Sequence, residues 1–379
     1  MSLQNASFSV ASNQTWPVES WKENVAVPIF MFVGGAVGNI TAIVVLSLSR
    51  QDRKSSAFYA LVCGLAVTDL LGTCLASPLT IANYLDPQVL RGGALCDFHS
   101  FLLLFFGVTG LSIICAMAAE RYLAICCPYV YRRWGVDRRF AQTFLSFVYA
   151  TNALFCCLPV TGAVRSSLQP SETWCFVDLR TSEPVAAVYS VLYGAVSVLL
   201  IVGTTALNVA VCGSLLLMRR RSVRRGEDGG GGSVRDRWRS LSSAAEIQIV
   251  AVLVMTSLVV LGCSAPLVVR VFANRLMMKD DPEADLAAIR IAAINPILDP
   301  WIYILLRRSL FRRILSLSRR CRTRSGRTLS PRGRLFCPEH TKDSNVLSQM
   351  MQNHLRTSLS AASAVSVPHV HCAALKLKD

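Results

Sequence analysis

The stretch DLAAIRIAAINPILDPWIYILL, residues 285–306, decides the fold. Arg290, Asn295 and Asp299 interrupt it, yet it still reads as one helix from Leu286 to Leu306. About 20 apolar residues in a helix cross a hydrocarbon core of roughly 30 Å. Working back toward the amino terminus, six further apolar runs lie near 25–48, 57–84, 95–126, 140–162, 184–218 and 244–274. The expectation is an all-α membrane protein, a seven-transmembrane helix bundle. Composition agrees, with 53% hydrophobic residues, 16% charged residues and a mean hydropathy of +0.44, too apolar for an ordinary soluble domain of this length.

A formal net charge of +16 on a soluble chain would suggest nucleic acid, so the placement of the basic residues decides its meaning. They concentrate on one side of the spans: Arg50, Arg53 and Lys54; Arg132, Arg133, Arg138 and Arg139; Arg219 to Arg221 with Arg224 and Arg225; Arg307, Arg308, Arg312 and Arg313. Lys and Arg in short loops mark the cytoplasmic face. Nucleic acid is therefore not an expected partner, and the amino terminus is predicted outside. The first 24 residues carry no short apolar core preceded by positive charge, so the first span is expected to direct insertion itself. Four regions follow: an outer segment at 1–24, the bundle at 25–306, a basic amphipathic eighth helix at 307–320 and a cytoplasmic tail at 321–379. In the eighth helix Leu310, Phe311, Ile314 and Leu315 are predicted to face lipid, and Cys321 beyond it is either acylated or free. Sequons at Asn5 and Asn13 lie where glycosylation is physically possible, whereas the one at Asn39 lies inside the first span.

Of fourteen cysteines, Cys96 and Cys175 are the two that fall on the outer side, which predicts a disulfide there; two free thiols in an oxidising compartment are the alternative. Five histidines are dispersed, His99 near the membrane and the rest in the tail, so no zinc site of three protein ligands is visible and no metal or other cofactor is expected. Residues 285–306 hold no lysine, which excludes a retinal Schiff base in the last span.

Charge inside a membrane costs a few kcal/mol or more, so each case is a functional hypothesis. Asn39 in the first span, Asp69 in the second and Asp299 in the seventh form one group, suited to a small cation or a water network, or else protonated and hydrogen-bonded. Pro266 and Pro300 each remove a backbone hydrogen bond mid-helix and predict kinks, either pivoting or static. Glu120-Arg121-Tyr122 ends the third span on the inner side, an acid and a base able to hold an off state. Arg290 stands ten residues before Pro300, about 15 Å toward the outer face at 1.5 Å per residue. There a guanidinium can take a carboxylate bidentately. Its alternatives are snorkelling to the interface or pairing with Asp285 or Glu283, and Arg270 competes for the same role.

Asn39 after Gly38, Asp69 after Leu65-Ala66, Cys96, then Glu120-Arg121-Tyr122, Pro266 and Asp299-Pro300-Trp301-Ile302-Tyr303 occur in that order on seven spans. The set resembles the rhodopsin-like G-protein-coupled receptors over residues 25 to about 320. Thr173-Trp174-Cys175-Phe176, with Arg290 and residues 295–303, is similar to the prostanoid receptors. The stretches 61–73 and 111–117 look most like the fourth subtype of the prostaglandin E receptors. That resemblance implies a plasma-membrane receptor for prostaglandin E2 coupled to the stimulatory G protein, raising cyclic AMP, with arrestin and receptor kinases as regulators. It also implies that Arg290 and Tyr84 receive the prostaglandin carboxylate, that Thr173 assists, and that Thr73, Ser77 and Thr80 line the pocket. Glu120, Arg121, Tyr122, Pro266, Asp299, Pro300 and Tyr303 become the coupling and activation set.

Two residues depart from expectation. Ser264 stands two residues before Pro266, where most rhodopsin-like receptors have tryptophan, and Ala293 stands where the fourth subtype has serine. The third inner loop, 219–243, with Gly229 to Gly232, and the tail with Ser358, Ser360, Ser363 and Ser366 are short for that subtype and are predicted flexible. A receptor for another prostanoid or acidic lipid remains an alternative. A membrane transporter, a reading from another class, would call for paired charges along a path or internal repeats, and a membrane enzyme would need a nucleophile, base or metal set; neither pattern is found.

Overall fold

A computed structural model describes residues 25–48, 56–91, 93–180, 183–226, 234–277 and 281–305. With no water in hydrocarbon to satisfy a bare backbone, a spanning segment must bond internally, and the apolar runs accordingly fold as helices. In chain order they are α1 (Ala26–Ser47), α2 (Ala57–Leu85), α3 (Gly93–Cys126), the short inner-loop helix α4 (Pro128–Arg133), α5 (Arg138–Cys156), α6 (Pro184–Gly226), α7 (Val234–Met277), α8 (Pro282–Ala292) and α9 (Asn295–Leu305). Between α5 and α6 a hairpin pairs β1 (Ser166–Leu168) antiparallel with β2 (Cys175–Val177), Leu168 opposite Cys175.

Among the described residues five helices are long and apolar enough to cross a membrane unaided: α1, α2, α3, α6 and α7. The fourth span is α5, started by Asp137, whose carboxylate accepts from the Phe140 N–H at 2.9 Å. α8 and α9 together make the seventh. α3 runs through the middle, with Leu104, Val108 and Ile113 fully buried. It packs on α2, α5 and α6; α7 packs on α6, α8 and α9; α9 returns to α1 and closes the ring. Phe30, Leu154, Leu199 and Val202 are exposed, the inverse of a water-soluble surface and the expected one where the solvent is lipid. Small residues let helix backbones approach. A Cβ on Gly72 would stand 2.9 Å from the Phe106 ring, and one on Gly38 would stand 3.1 Å from Pro300. Polar pairs stitch the helices: Thr68 with Tyr149 at 2.7 Å, and Asn208 donating to Ser257 at 2.9 Å.

The structure corrects three sequence expectations. The seventh span is not one helix from Leu286 to Leu306: it breaks into a turn at Ala293 and Ile294. Pro296 is the cause, since it has no N–H for the Ala292 carbonyl and its ring crowds that carbonyl, whereas the same proline is tolerated in the first turn of a new helix. α7 and α9 stay helical through Pro266 and Pro300, as α2 does through Pro78, and helical continuity leaves the predicted kinks untouched. The third inner loop, expected flexible over 219–243, is helical at both ends: the apolar span stops at Met218, but α6 continues to Gly226 and α7 begins at Val234, where good helix formers outweigh polarity. The fourth span ends at Cys156 rather than 162, in turns carrying Gly162 at φ +77°. Asn5, Asn13, the predicted eighth helix and the tail lie outside the described residues.

Candidate functional site

Thr73, Ser77, Thr80 and Tyr84 recur at steps of four, three and four, so they share one face of α2. That face fronts two adjoining cavities. The outer, about 110 Å³, is walled by Ser77, Thr80, Tyr84, Thr173, Arg290 and His99; the inner, about 190 Å³, is reached past Ser77 and Ala293 and includes Thr73. All six residues expected at the ligand site therefore border one or other of two neighbouring cavities that share Ser77 and Ala293 in their walls. Arg290, on α8, donates from Nη2 to the Tyr84 hydroxyl at 2.9 Å. No carboxylate meets Arg290 among the described residues, so its charge faces the cavity.

The competing assignments are resolved by one aspartate. Asp285 is 4% exposed and accepts three hydrogen bonds: from Arg270 Nε at 2.7 Å, from Asn274 Nδ2 at 2.8 Å and from Arg180 Nη2 at 2.7 Å. Arg270 also meets Asp281 at 3.6 Å. Asp285 is thus consumed by Arg180 and Arg270 rather than by Arg290, and Arg270, already neutralised, is not an open anion anchor.

The hairpin lids the site. Cys175 is bonded to Cys96 with Cα atoms 5.4 Å apart, and Trp174 and Phe176 are buried beneath it. Asn83 of α2 donates to the Glu172 carbonyl at 2.8 Å. Thr173 sits with Ser171 at 3.0 Å. His99 was missed as a site residue, because a lone histidine near a membrane carries no pattern. It is fully buried, and its Nδ1 accepts from the Cys175 N–H at 3.3 Å. The proton therefore resides on Nε2, which donates to Thr80 Oγ1 at 3.0 Å. Imidazole thus links the lid's disulfide to the pocket wall. Replacing Cys96 and Cys175 with alanine is expected to cost about 2–4 kcal/mol. Thermal unfolding of the solubilised protein would register it, and an unchanged midpoint would sink the assignment.

At the inner end, Arg121 holds Glu120 at 2.5 and 2.9 Å and lies 4.1 Å over the Phe58 ring. The Tyr131 hydroxyl of α4 donates to Glu120 Oε1 at 3.0 Å. Burial, and then the Glu120 carboxylate, push that phenol up to about 12, so it remains a donor at neutral pH. Tyr122 packs against buried Val211, Leu215 and Leu253, and Pro266 is carried by α7 nearer the outer side.

Midway, Asn39, Asp69 and Asp299 border a cavity of about 10 Å³ together with Pro300 and Tyr303. Asn295 donates to Asp299 Oδ2 at 3.3 Å, while Asn39 Oδ1, Asp69 Oδ2 and Asp299 Oδ1 are buried without a protein donor. Asn39 Nδ2 donates to the Pro296 carbonyl at 2.9 Å. That carbonyl would normally accept from residue 300 of α9, but Pro300 has no N–H, so α1 supplies the bond.

A lidded pocket at one end and a closed acid–base pair at the other end of a seven-helix bundle define a transmembrane receptor, and the 7 transmembrane receptor (rhodopsin family) profile matches residues 38–303. The chain belongs to that family and is a multi-pass plasma-membrane protein, not an enzyme. It is 46% identical over 370 residues to the rabbit (Oryctolagus cuniculus) prostaglandin E2 receptor EP4 subtype, covering 89% of this chain and 75% of that one. To the human (Homo sapiens) EP4 subtype it is 45% identical over 367 residues, 89% of this chain and 74% of the relative. The human prostacyclin receptor is 38% identical over 295 residues, 76% of this chain and 74% of that one. Within the rhodopsin family, then, this is a prostanoid receptor.

Proposed function

We propose that this chain is a cell-surface receptor for prostaglandin E2 that couples to the stimulatory G protein and raises cyclic AMP. The observation that carries this reading is Arg290: a guanidinium hydrogen-bonded to Tyr84, without a carboxylate partner among the described residues, at the head of an apolar cavity. A lipid monoacid fits that chemistry, carboxylate on Arg290 and Tyr84 with Thr173 beside it, hydrocarbon against Thr73, Ser77, Thr80 and the inner cavity. EP4-subtype relatives at 44–46% identity favour prostaglandin E2 over other acids.

Activation then requires that ligand bind one state of the bundle better than the other. In this reading the Glu120–Arg121 pair, buttressed by Tyr131, is the off state, and release of Arg121 with movement of Tyr122, Pro266, Asp299, Pro300 and Tyr303 opens the inner face to the G protein. Asn39, Asp69 and Asp299 hold a water or small cation between the two ends. The amino-terminal segment 1–24 lies outside, with Asn5 and Asn13 as glycosylation sites, and the tail 321–379 meets receptor kinases and arrestin.

The test is cyclic AMP in cells expressing the chain, titrated with prostaglandin E2 beside other prostanoids. A saturable rise selective for prostaglandin E2 is expected. The prostacyclin receptor's similarity supports a second reading, and a response led by a prostacyclin analogue would replace the first with it. Silence in cyclic AMP and calcium, with the chain on the surface, would remove the ligand assignment.

A further inference from the structure

The inner cavity holds a polar group that the carboxylate does not use. Tyr193 on α6 is 5% exposed and forms part of the cavity wall. Its ring is fixed, stacked on Phe155 at 6.5 Å and edge-on to Phe176 at 6.0 Å. Yet among the described residues its hydroxyl has no hydrogen-bond partner. Other phenols of the bundle are engaged: Tyr84 by Arg290, Tyr149 by Thr68, Tyr59 by the Leu46 carbonyl. The Tyr189 hydroxyl faces the Cys156 thiol and is sealed from any space, whereas Tyr193 borders the cavity. Nearby Ser197 spends its proton on the Tyr193 carbonyl at 2.9 Å. Opposite the hydroxyl lies Gly107, on which an added Cβ would stand 3.3 Å away, so bare backbone leaves the group uncovered.

A buried tyrosine hydroxyl ordinarily finds a partner, and leaving one unmade is costly. We infer that Tyr193 is a specificity-determining residue whose hydroxyl hydrogen-bonds a hydroxyl or carbonyl oxygen of the bound lipid, beyond its carboxylate. This rests on the proposed reading of the cavity as the lipid site. The consequence is selection by oxygenation. Arg290 accepts any lipid acid, but a plain fatty acid leaves the Tyr193 hydroxyl against hydrocarbon, and a site built to hydrogen-bond rejects the analogue lacking that group. Oxygenated lipid acids are therefore favoured over their unoxidised precursors of equal length.

The experiment is competition binding of prostaglandin E2, of analogues lacking singly its ring ketone, ring hydroxyl or side-chain hydroxyl, and of arachidonic acid, to wild type and Tyr193→Phe at matched surface expression. Phenylalanine retains the ring packing and removes one oxygen. Tyr193→Phe is expected to weaken prostaglandin E2 by about five- to tenfold, the size of one hydrogen bond. One analogue, and arachidonic acid, should bind both proteins alike. Gly107→Ser, which brings a competing hydroxyl to Tyr193, should produce the same oxygen-selective loss. An equal loss for every analogue, or no loss for prostaglandin E2, overturns the inference. Failure of wild type to bind any prostanoid overturns the receptor reading instead, and this inference with it.

Discussion

Arg290→Ala is expected to weaken binding of a prostanoid acid by about thirtyfold or more, because truncating one partner of a buried charge pair costs about 2–5 kcal/mol. Two features of the site make the effect large. Arg270 and Arg180 are both held by Asp285, so neither is free to substitute. The cavity beneath Arg290 is lined mainly by apolar groups and offers the stranded carboxylate little compensation. Arg290→Lys should recover part of the loss, since an ammonium restores charge without the planar fork. Methyl-ester ligand, weak on wild type, should bind wild type and Arg290→Ala alike. Displacement binding on cells with matched surface expression checks all three, and an alanine variant that holds the acid as tightly as wild type would refute the anchor.

Asp285→Asn should cost comparably in stability. Its carboxylate is the hub where the lid segment, through Arg180, meets α7 and α8. Neutralising it removes the buried counter-charge that two guanidiniums, 16% and 20% exposed, share, and leaves Arg270 only the half-exposed Asp281 at 3.6 Å. Breaking a buried pair from one side costs about 3–5 kcal/mol. The expected result is a lower unfolding midpoint and less protein at the surface. Arg91→Gln is the contrast: its pair with Glu172 is 47% and 32% exposed, and such a bond contributes about 0–1 kcal/mol. If both substitutions lower the midpoint equally, burial is not what makes the Asp285 cluster matter.

Hydropathy made the seven spans legible, because bilayer thickness fixes segment length. Helical periodicity made the α2 face legible, because 73, 77, 80 and 84 fall together on any regular helix. The break at Ala293 was written in Pro296, but a hydropathy profile is blind to a missing N–H, and apolar residues continue on both sides of it. His99 was illegible for another reason: its partners, Cys175 and Thr80, are brought together by a lid and a helix whose juxtaposition is tertiary. Asp285 stood beside Lys279, Asp280, Asp281 and Glu283 in the sequence, and nothing local distinguishes it from Glu283. Its partner Arg180 is 105 residues away, a pairing that only the packed bundle selects.

Two prolines four residues apart also bear on how the molecule is made. The Pro296 carbonyl, orphaned by Pro300, finds its donor in Asn39, 257 residues earlier. An early spanning helix thus completes the backbone of one made much later. During synthesis the seventh span reaches the bilayer with the Pro296 carbonyl bare, a debt of several kcal/mol in hydrocarbon, and docking against α1 cancels it. Gly38, tight against Pro300, leaves the room for that docking. Closure of the ring is therefore a late quality check on biogenesis: a chain in which α1 and α9 have not met carries the Pro296 carbonyl unsatisfied in lipid, a mark of incomplete assembly that the finished receptor lacks.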